Sequence, residues 1–245
     1  MLNLLKCEFK KFQKTYINSL SFLGMLFPVI LITLMFIVKK ADFIEHKTYN
    51  WEYFNSQLTI MLVFLIGPII TSFIAVFSVF YEYQEKTLKN ILSSPNSRTL
   101  LILTKIVYVS LYVLLQYAAV AVINVLCALL LGFDFSIASA LEKCIHLVVA
   151  GFTTIILVPF MMFLTLLAKN FIPPLVITVA GTISNAILMN WEKSYLSPWA
   201  NPANFIFIMK KSLKMDIMLP ITCTCVYFIL FMIITIVYFN RVDQC

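Results

Sequence analysis

The chain has 245 residues, of which 62% are hydrophobic and 12% charged, and its formal net charge is +7. A soluble domain needs more polar surface than this to cover its core, so the composition indicates that lipid is the main solvent. The basic residues lie between apolar runs rather than along one stripe, which is typical of charges flanking a membrane and excludes nucleic acid as a partner. We predict one membrane domain over residues 1–245.

The first 16 residues carry an amphipathic pattern. Leu5, Phe9 and Phe12 recur at helical spacing, while lysines mark another face. Such a helix is suited to the headgroup plane, and we predict an elbow helix over residues 1–16 that leads into the first span. A generic positively charged flank explains the same pattern equally well.

Long apolar runs follow this segment. Crossing about 30 Å of hydrocarbon takes about 20 helical residues, which predicts an all-α polytopic membrane protein with six transmembrane helices. The apolar runs are continuous rather than alternating, so a strand barrel is excluded. The predicted spans are Ile17–Val38, Leu58–Tyr81, Leu100–Leu131, Cys144–Ala168, Ile172–Asn190 and Ile217–Phe239.

The segment 82–98 joins the second predicted span to the third and is rich in charge. Glu85 and Lys89 are four residues apart in the order that favours a short surface helix, and Leu88 contributes to an apolar ridge on it. Pro95 ends this helix because the residue before a proline disfavours helical geometry. The pattern fits either a helix that docks into a groove of a cytoplasmic partner or an ordinary solvated hairpin.

The sequence lacks the signatures of catalysis and of phosphate binding. It contains no G-x-x-x-x-G-K-[ST] loop, no H-E-x-x-H and no G-x-S-x-G, so we predict no catalytic residues and no metal or ATP bound by this chain. The spans carry essentially no charge away from their ends, which argues against a carrier driven by protons or ions. Thr178, Gly181 and Asn185 share one helical face, a pattern that favours helix packing over a substrate site. We assign no substrate-binding residues from the sequence.

The segment from Glu82 onward resembles the type-2 ABC export permeases, in which an acidic residue leads into T-L-x-x-L-x-S-x-P-x-S-R and then a lysine, here Lys105. The elbow, the six spans and the short final tail match the organisation of that family. The resemblance implies that 82–98 forms a short cytoplasmic coupling helix in contact with a separate ATPase. It assigns that contact to Glu82, Glu85, Lys86, Thr87, Leu88, Ser94, Pro95 and Arg98.

The same resemblance implies the assembly in which this chain works. A second permease subunit, either a copy or a related chain, is expected beside it in the plasma membrane, among membrane lipids. An ABC ATPase subunit is expected beneath each permease, and it would bind ATP and magnesium. The chain itself is then a transport subunit and not an enzyme. The resemblance also implies that both termini are cytoplasmic, an orientation that the distribution of charged residues alone favours only weakly.

The outer segment 191–216 carries a second resemblance. Its residues 196–202, Leu-Ser-Pro-Trp-Ala-Asn-Pro, are similar to a loop of the lantibiotic-immunity and bacitracin-export permeases. That similarity implies export of an amphipathic peptide antibiotic or a lipid-like molecule, for self-immunity or resistance, in a Gram-positive bacterium. We predict that an outer re-entrant or interfacial element is formed by Trp191, Pro198, Trp199 and Pro202.

The same residues allow alternatives to the predicted outer element and to the predicted function. A plain belt of interfacial aromatic side chains would explain the two tryptophans of this segment without a re-entrant element. For the chain as a whole, a secondary carrier and a non-transporting membrane scaffold or sensor remain as other classes of function.

Overall fold

The structure, a computed structural model, describes residues 2–85, 97–189, 191, 193–210 and 216–241. Regular structure in these ranges is entirely helical, which confirms the predicted all-α membrane fold. The helices are α1 (Leu2–Gln13), α2 (Tyr16–Val38), α3 (Lys40–Glu45), α4 (Trp51–Met61), a π-helix (Leu62–Ile66), α5 (Gly67–Gln84), α6 (Arg98–Leu130), α7 (Ile137–Thr154), α8 (Leu157–Ala168), α9 (Ile172–Leu188), a 3₁₀ turn (Ser194–Leu196), α10 (Asn201–Met209) and α11 (Met218–Arg241).

Within the described ranges, five helical stretches are long and apolar enough to cross a membrane. They are Tyr16–Val38, Trp51–Gln84, Arg98–Leu130, Ile137–Ala168 and Met218–Arg241. The remaining predicted span, Ile172–Asn190, corresponds to α9, which has 17 residues. At 1.5 Å per residue α9 is about 26 Å long, which is the lower limit for crossing a bilayer.

The positions of the helix ends favour α9 as the sixth span. Helix α1, the last turn of α5 and the first turns of α6 lie together, at what we call the amino-terminal end of the bundle. Asn240 in α11 donates a hydrogen bond to the Thr99 hydroxyl of α6 at 2.9 Å, so the last span ends there too. A chain that starts and finishes its crossings at the same end crosses an even number of times.

Two spans begin earlier than their apolar runs predict. Helix α4 starts at Trp51 rather than Leu58, because the Asn50 side chain accepts a hydrogen bond from the Tyr53 backbone N–H at 2.8 Å and caps the helix. Ser136 caps α7 in the same way. This helix therefore begins at Ile137, seven residues or about two turns before the predicted start at Cys144. Capping residues are polar, so a hydropathy pattern misses the turns that they start.

Prolines produce the irregularities inside two spans. Pro68 has no backbone N–H, so it cannot donate a hydrogen bond to the preceding turn. That turn widens into the π-helix Leu62–Ile66, in which the Gly67 N–H donates to the Leu62 carbonyl. Pro159 likewise cannot donate to the Ile155 carbonyl, which instead accepts a hydrogen bond from the Val158 N–H at 2.9 Å. Helices α7 and α8 are separate for this reason.

The middle of the bundle is packed around Tyr117 of α6, whose side chain is fully buried. Gly67 of α5 and Gly151 of α7 lie directly against this ring, and a Cβ atom on Gly151 would stand only 2.7 Å from it. The Tyr117 hydroxyl hydrogen-bonds to the Thr154 hydroxyl at 3.2 Å. Small residues at helix contacts allow this close approach of three helices.

We expect Gly151→Ala to destabilise the folded protein by about 1–3 kcal/mol, because the new methyl group overlaps a ring that is held on all sides. The midpoint of thermal aggregation, followed by gel filtration in detergent, measures the effect. Gly24→Ala is the matched control, since its methyl group would meet only the flexible end of the Ile70 side chain. Equal midpoints for the two variants would contradict this account of the core.

Candidate functional site: a buried ion-pair cluster

Four charged side chains meet at the amino-terminal end, where α5 ends and α6 begins. They are Glu8 and Lys11 of α1, Glu82 of α5 and Lys105 of α6, and we call them the ion-pair cluster. The Lys105 ammonium lies 2.6 Å from Glu82 Oε1 and 2.8 Å from Glu8 Oε1. The Lys11 ammonium lies 2.9 Å from the same Glu82 oxygen. Alternating charges therefore connect three helices.

The centre of the cluster is shielded from solvent. Glu82 is 3% exposed and Lys105 is 4% exposed, and Lys105 also donates to the Ser78 carbonyl at 3.2 Å. Removing a charge from water costs several kcal/mol unless partners compensate for it, so each member of this cluster depends on the others. The cluster is therefore a single unit rather than a set of independent surface contacts.

Lys11 lies outside the spans, at the edge of the cluster. Burial lowers the pKa of its ammonium group, and the neighbouring Lys105 charge lowers it further, while Glu82 and Glu8 raise it. The net pKa is below the ordinary lysine value. Lys11 therefore gives up its proton more readily than an exposed lysine does.

Aromatic packing holds α1 in the position that the cluster requires. Phe12 is 1% exposed, and its ring centroid lies 4.9 Å from that of Tyr108 on α6 and 6.0 Å from that of Phe77 on α5. Phe9, three residues before Phe12, is 52% exposed. Helix α1 thus has one face buried on the bundle, while its position in the headgroup plane stays a prediction.

Three of the eight residues assigned to the ATPase contact lie in the described ranges. Glu82 is buried in the ion-pair cluster, so its contacts are to side chains of this chain. Glu85 is exposed directly after α5, and Arg98 is partly exposed in the first turn of α6, which Ser97 caps. The other five, Lys86, Thr87, Leu88, Ser94 and Pro95, lie outside the described residues.

Half of the ion-pair cluster can be recognised from the sequence. The resemblance to a known motif singled out Glu82 and Lys105, but it did not connect them to α1. Glu8 and Lys11 are three residues apart and so lie on one side of α1, which was the available signal. That spacing does not say which other helix the side faces.

The predicted outer residues lie at the opposite end of the bundle. Trp199 packs on α9 so closely that Gly181 has no room for a side chain, and the Asn185 amide donates to the Trp199 carbonyl at 3.1 Å. Thr178, on the same face of α9, is buried and donates to the Met161 sulfur at 3.2 Å. The predicted use of this α9 face for packing is confirmed.

The other three predicted outer residues differ in their surroundings. Pro202 is buried in the first turn of α10, Pro198 is partly buried, and Trp191 is 51% exposed. Helix α10 packs against α7, and Asn201 donates from its amide to the Thr224 hydroxyl of α11 at 3.2 Å. Residues 201–209 thus return into the bundle, whereas the membrane depth of this element stays a prediction.

These features define a multi-pass helical membrane protein in which an amphipathic helix is fixed to the bundle by buried charges. Residues 4–185 match the model of the ABC-2 family transporter proteins, and the chain belongs to that family. It is 30% identical over 163 residues to the bacitracin transport permease protein BCRB of Bacillus licheniformis, a match that covers 66% of this chain and 78% of that protein. No solved structure matches it.

Family membership confirms the resemblance to type-2 ABC permeases. The chain is a transport permease subunit of the plasma membrane rather than an enzyme, and its family implies an ABC transporter system with an ATPase partner.

Proposed function

We propose that this chain is the membrane-spanning subunit of an ATP-driven exporter, which expels an amphipathic peptide antibiotic or lipid-like molecule in self-immunity or resistance. The observation that carries the proposal is the ion-pair cluster, which joins Glu82, at the start of the segment 82–98, to Lys105 of α6 and Lys11 of α1. The similarity to a bacitracin transport permease supports the choice of substrate class.

The cluster supplies a mechanical link between that segment and the spans. Glu82 stands at the start of the segment and Lys105 shortly after its end, and the two are joined by a 2.6 Å ion pair. A displacement of the segment by a partner therefore moves α5 and α6 together, because separating them would leave two buried charges without partners. Helix α1 follows through the contacts of Glu8 and Lys11.

The proposal fixes an orientation and a set of partners. The amino-terminal end faces the cytoplasm, where an ABC ATPase subunit binds ATP and magnesium and contacts the segment 82–98 through Glu85 and Arg98. A second permease, the same or related, completes the transporter. A Gram-positive bacterium is the proposed source.

A secondary carrier is the second candidate, because buried carboxylate and ammonium groups in contact are also the parts of a proton relay. In that case transport would require a proton or ion gradient and would continue without ATP. The cluster lies at one end of the bundle and not at the middle of the spans, which favours the exporter.

A pull-down of the tagged chain from its native host in mild detergent tests the exporter directly. We expect an ATPase with a phosphate-binding loop to co-purify in stoichiometric amount, and reconstituted transport to require ATP. Transport without any co-purified ATPase, driven by an imposed proton gradient, would establish the carrier instead. An intact bundle with neither partner nor transport would indicate the scaffold.

A further inference from the structure

A polar cleft opens between α2 and α6 on the side of the bundle. It has a volume of about 250 Å³ and is lined by Asn18, Ser19 and Phe22 of α2 and by Tyr112, Leu115 and Gln116 of α6. We call it the α2–α6 cleft. Phe22 is 36% exposed and Leu115 is 69% exposed, so apolar side chains form the rim that faces lipid.

The cleft lies at a defined depth. Asn18 is in the first turn of α2, directly after the turn at Thr15 that follows α1. The Tyr112 ring lies 6.2 Å from Phe12 of α1, centroid to centroid. Since α1 is predicted to lie in the headgroup plane, the cleft opens where headgroups meet acyl chains. Polar groups of an amphiphile are found at this level of a bilayer.

Hydrogen bonds hold the polar side chains of the cleft in place. The Tyr112 hydroxyl donates to the Asn18 side chain and lies 3.1 Å from the Ser21 hydroxyl. The Gln116 amide nitrogen donates to the same Ser21 oxygen at 3.1 Å. Ser21 is 1% exposed and Gln116 is 2% exposed, so these groups are part of the interior and not of a solvated surface.

One acceptor in this network remains unused. The Gln116 carboxamide oxygen is buried and has no hydrogen-bond partner among the described residues. A buried acceptor without a donor is costly in an apolar surrounding, and most such atoms in proteins are paired. Holding α2 and α6 together would need only the bond from Gln116 to Ser21. It would need neither the unpaired oxygen nor a cavity lined by the same side chain.

We propose that the α2–α6 cleft binds the headgroup of an amphiphile that arrives laterally from the membrane leaflet on the α1 side. A hydroxyl or amide N–H of the headgroup donates to the Gln116 carboxamide oxygen, and the alkyl chain lies along Phe22 and Leu115. The lining contains no charged side chain, so the cleft selects an uncharged donor over an anionic headgroup. This inference rests on the proposed export function and names the headgroup chemistry of its substrate.

Photolabelling of the full-length chain in phosphatidylcholine vesicles tests the proposal. The probe is a monoacylglycerol with a diazirine in its alkyl chain, and the comparison is its dimethyl ether, which has no donor. We expect the monoacylglycerol to label peptides of α2 and α6 about three- to tenfold more strongly, as for one added hydrogen bond. Gln116→Leu should remove this difference.

Two further variants keep the test decisive. Asn124→Leu, in the same helix, removes a buried amide that pairs with Asn55 at 2.9 Å and should leave the labelling difference unchanged. Leu115→Trp fills the cleft without touching its hydrogen bonds and should abolish labelling by either probe, which covers the case in which Gln116→Leu fails to fold. Equal labelling by the two probes, or labelling that persists in Leu115→Trp, would overturn the proposal.

The labelling requires neither ATP nor an ATPase, so its failure is distinct from failure of the export function. Specific labelling without a co-purified ATPase would support the cleft and remove the exporter. An ATP-dependent transporter with an unlabelled cleft would leave the exporter standing and refute the cleft.

Discussion

Lys105→Met is expected to abolish transport and to reduce the yield of folded protein, because it leaves the Glu8 and Glu82 carboxylates close together with only Lys11 to balance them. Removing one partner of a buried ion pair costs about 3–5 kcal/mol. That is a large part of the stability of an ordinary domain, which is about 5–15 kcal/mol. Gel filtration of detergent-solubilised protein and an export assay in cells measure the two effects separately.

Lys143→Met is the matched control for this substitution. Lys143 pairs with Glu142 at 3.0 Å, but the Glu142 side chain is 56% exposed, so the loss should be at most about 1 kcal/mol. A Lys105→Met variant as stable as Lys143→Met would show that the ion-pair cluster contributes little to the fold.

The double variant Glu82→Leu with Lys105→Met separates folding from coupling. Replacing both partners of a buried pair with apolar side chains is often neutral for stability. Glu8 and Lys11, which are 4.0 Å apart, can then pair with each other, so we expect the folded yield to recover. Transport should stay low, because α5 and α6 would no longer be held together by a charge-assisted bond. Recovery of transport along with folding would reduce the cluster to a packing element and remove it from the mechanism.

Glu85→Lys is expected to leave folding intact and to lower both ATPase co-purification and transport on the order of tenfold, because a reversed charge at an interface repels its former partner. Glu85 is exposed after the end of α5, so the substitution leaves no buried charge behind. Quantitative pull-down of the ATPase and ATP-dependent export from vesicles are the measurements.

Glu45→Lys makes the same change at an exposed position at the opposite end of the bundle, and it should affect neither measurement. Normal co-purification and export in Glu85→Lys would count against the proposed contact at this end. Loss of folded protein in Glu85→Lys would mean that Glu85 supports the bundle instead.

The elements most accurately predicted from the sequence are the ones that depend on apolar length alone. The first span was predicted as Ile17–Val38 and is Tyr16–Val38, since a continuous apolar run in a helix needs no partner to be recognised. Helices α4 and α7 extend beyond their predicted starts because polar caps at Asn50 and Ser136 begin them. The family was also readable, because the motif of segment 82–98 is local.

The roles of the polar residues depended on the tertiary structure. The family resemblance implies a partner contact for Glu82, and the fold buries this side chain between Lys11 and Lys105, since a local motif carries no information on depth. In the sequence, Gln116 is only an uncharged polar residue inside the predicted span Leu100–Leu131. Its free oxygen and the cleft beside it exist because α2 and α6 meet at this register, and contacts between distant segments are what a linear sequence leaves unspecified.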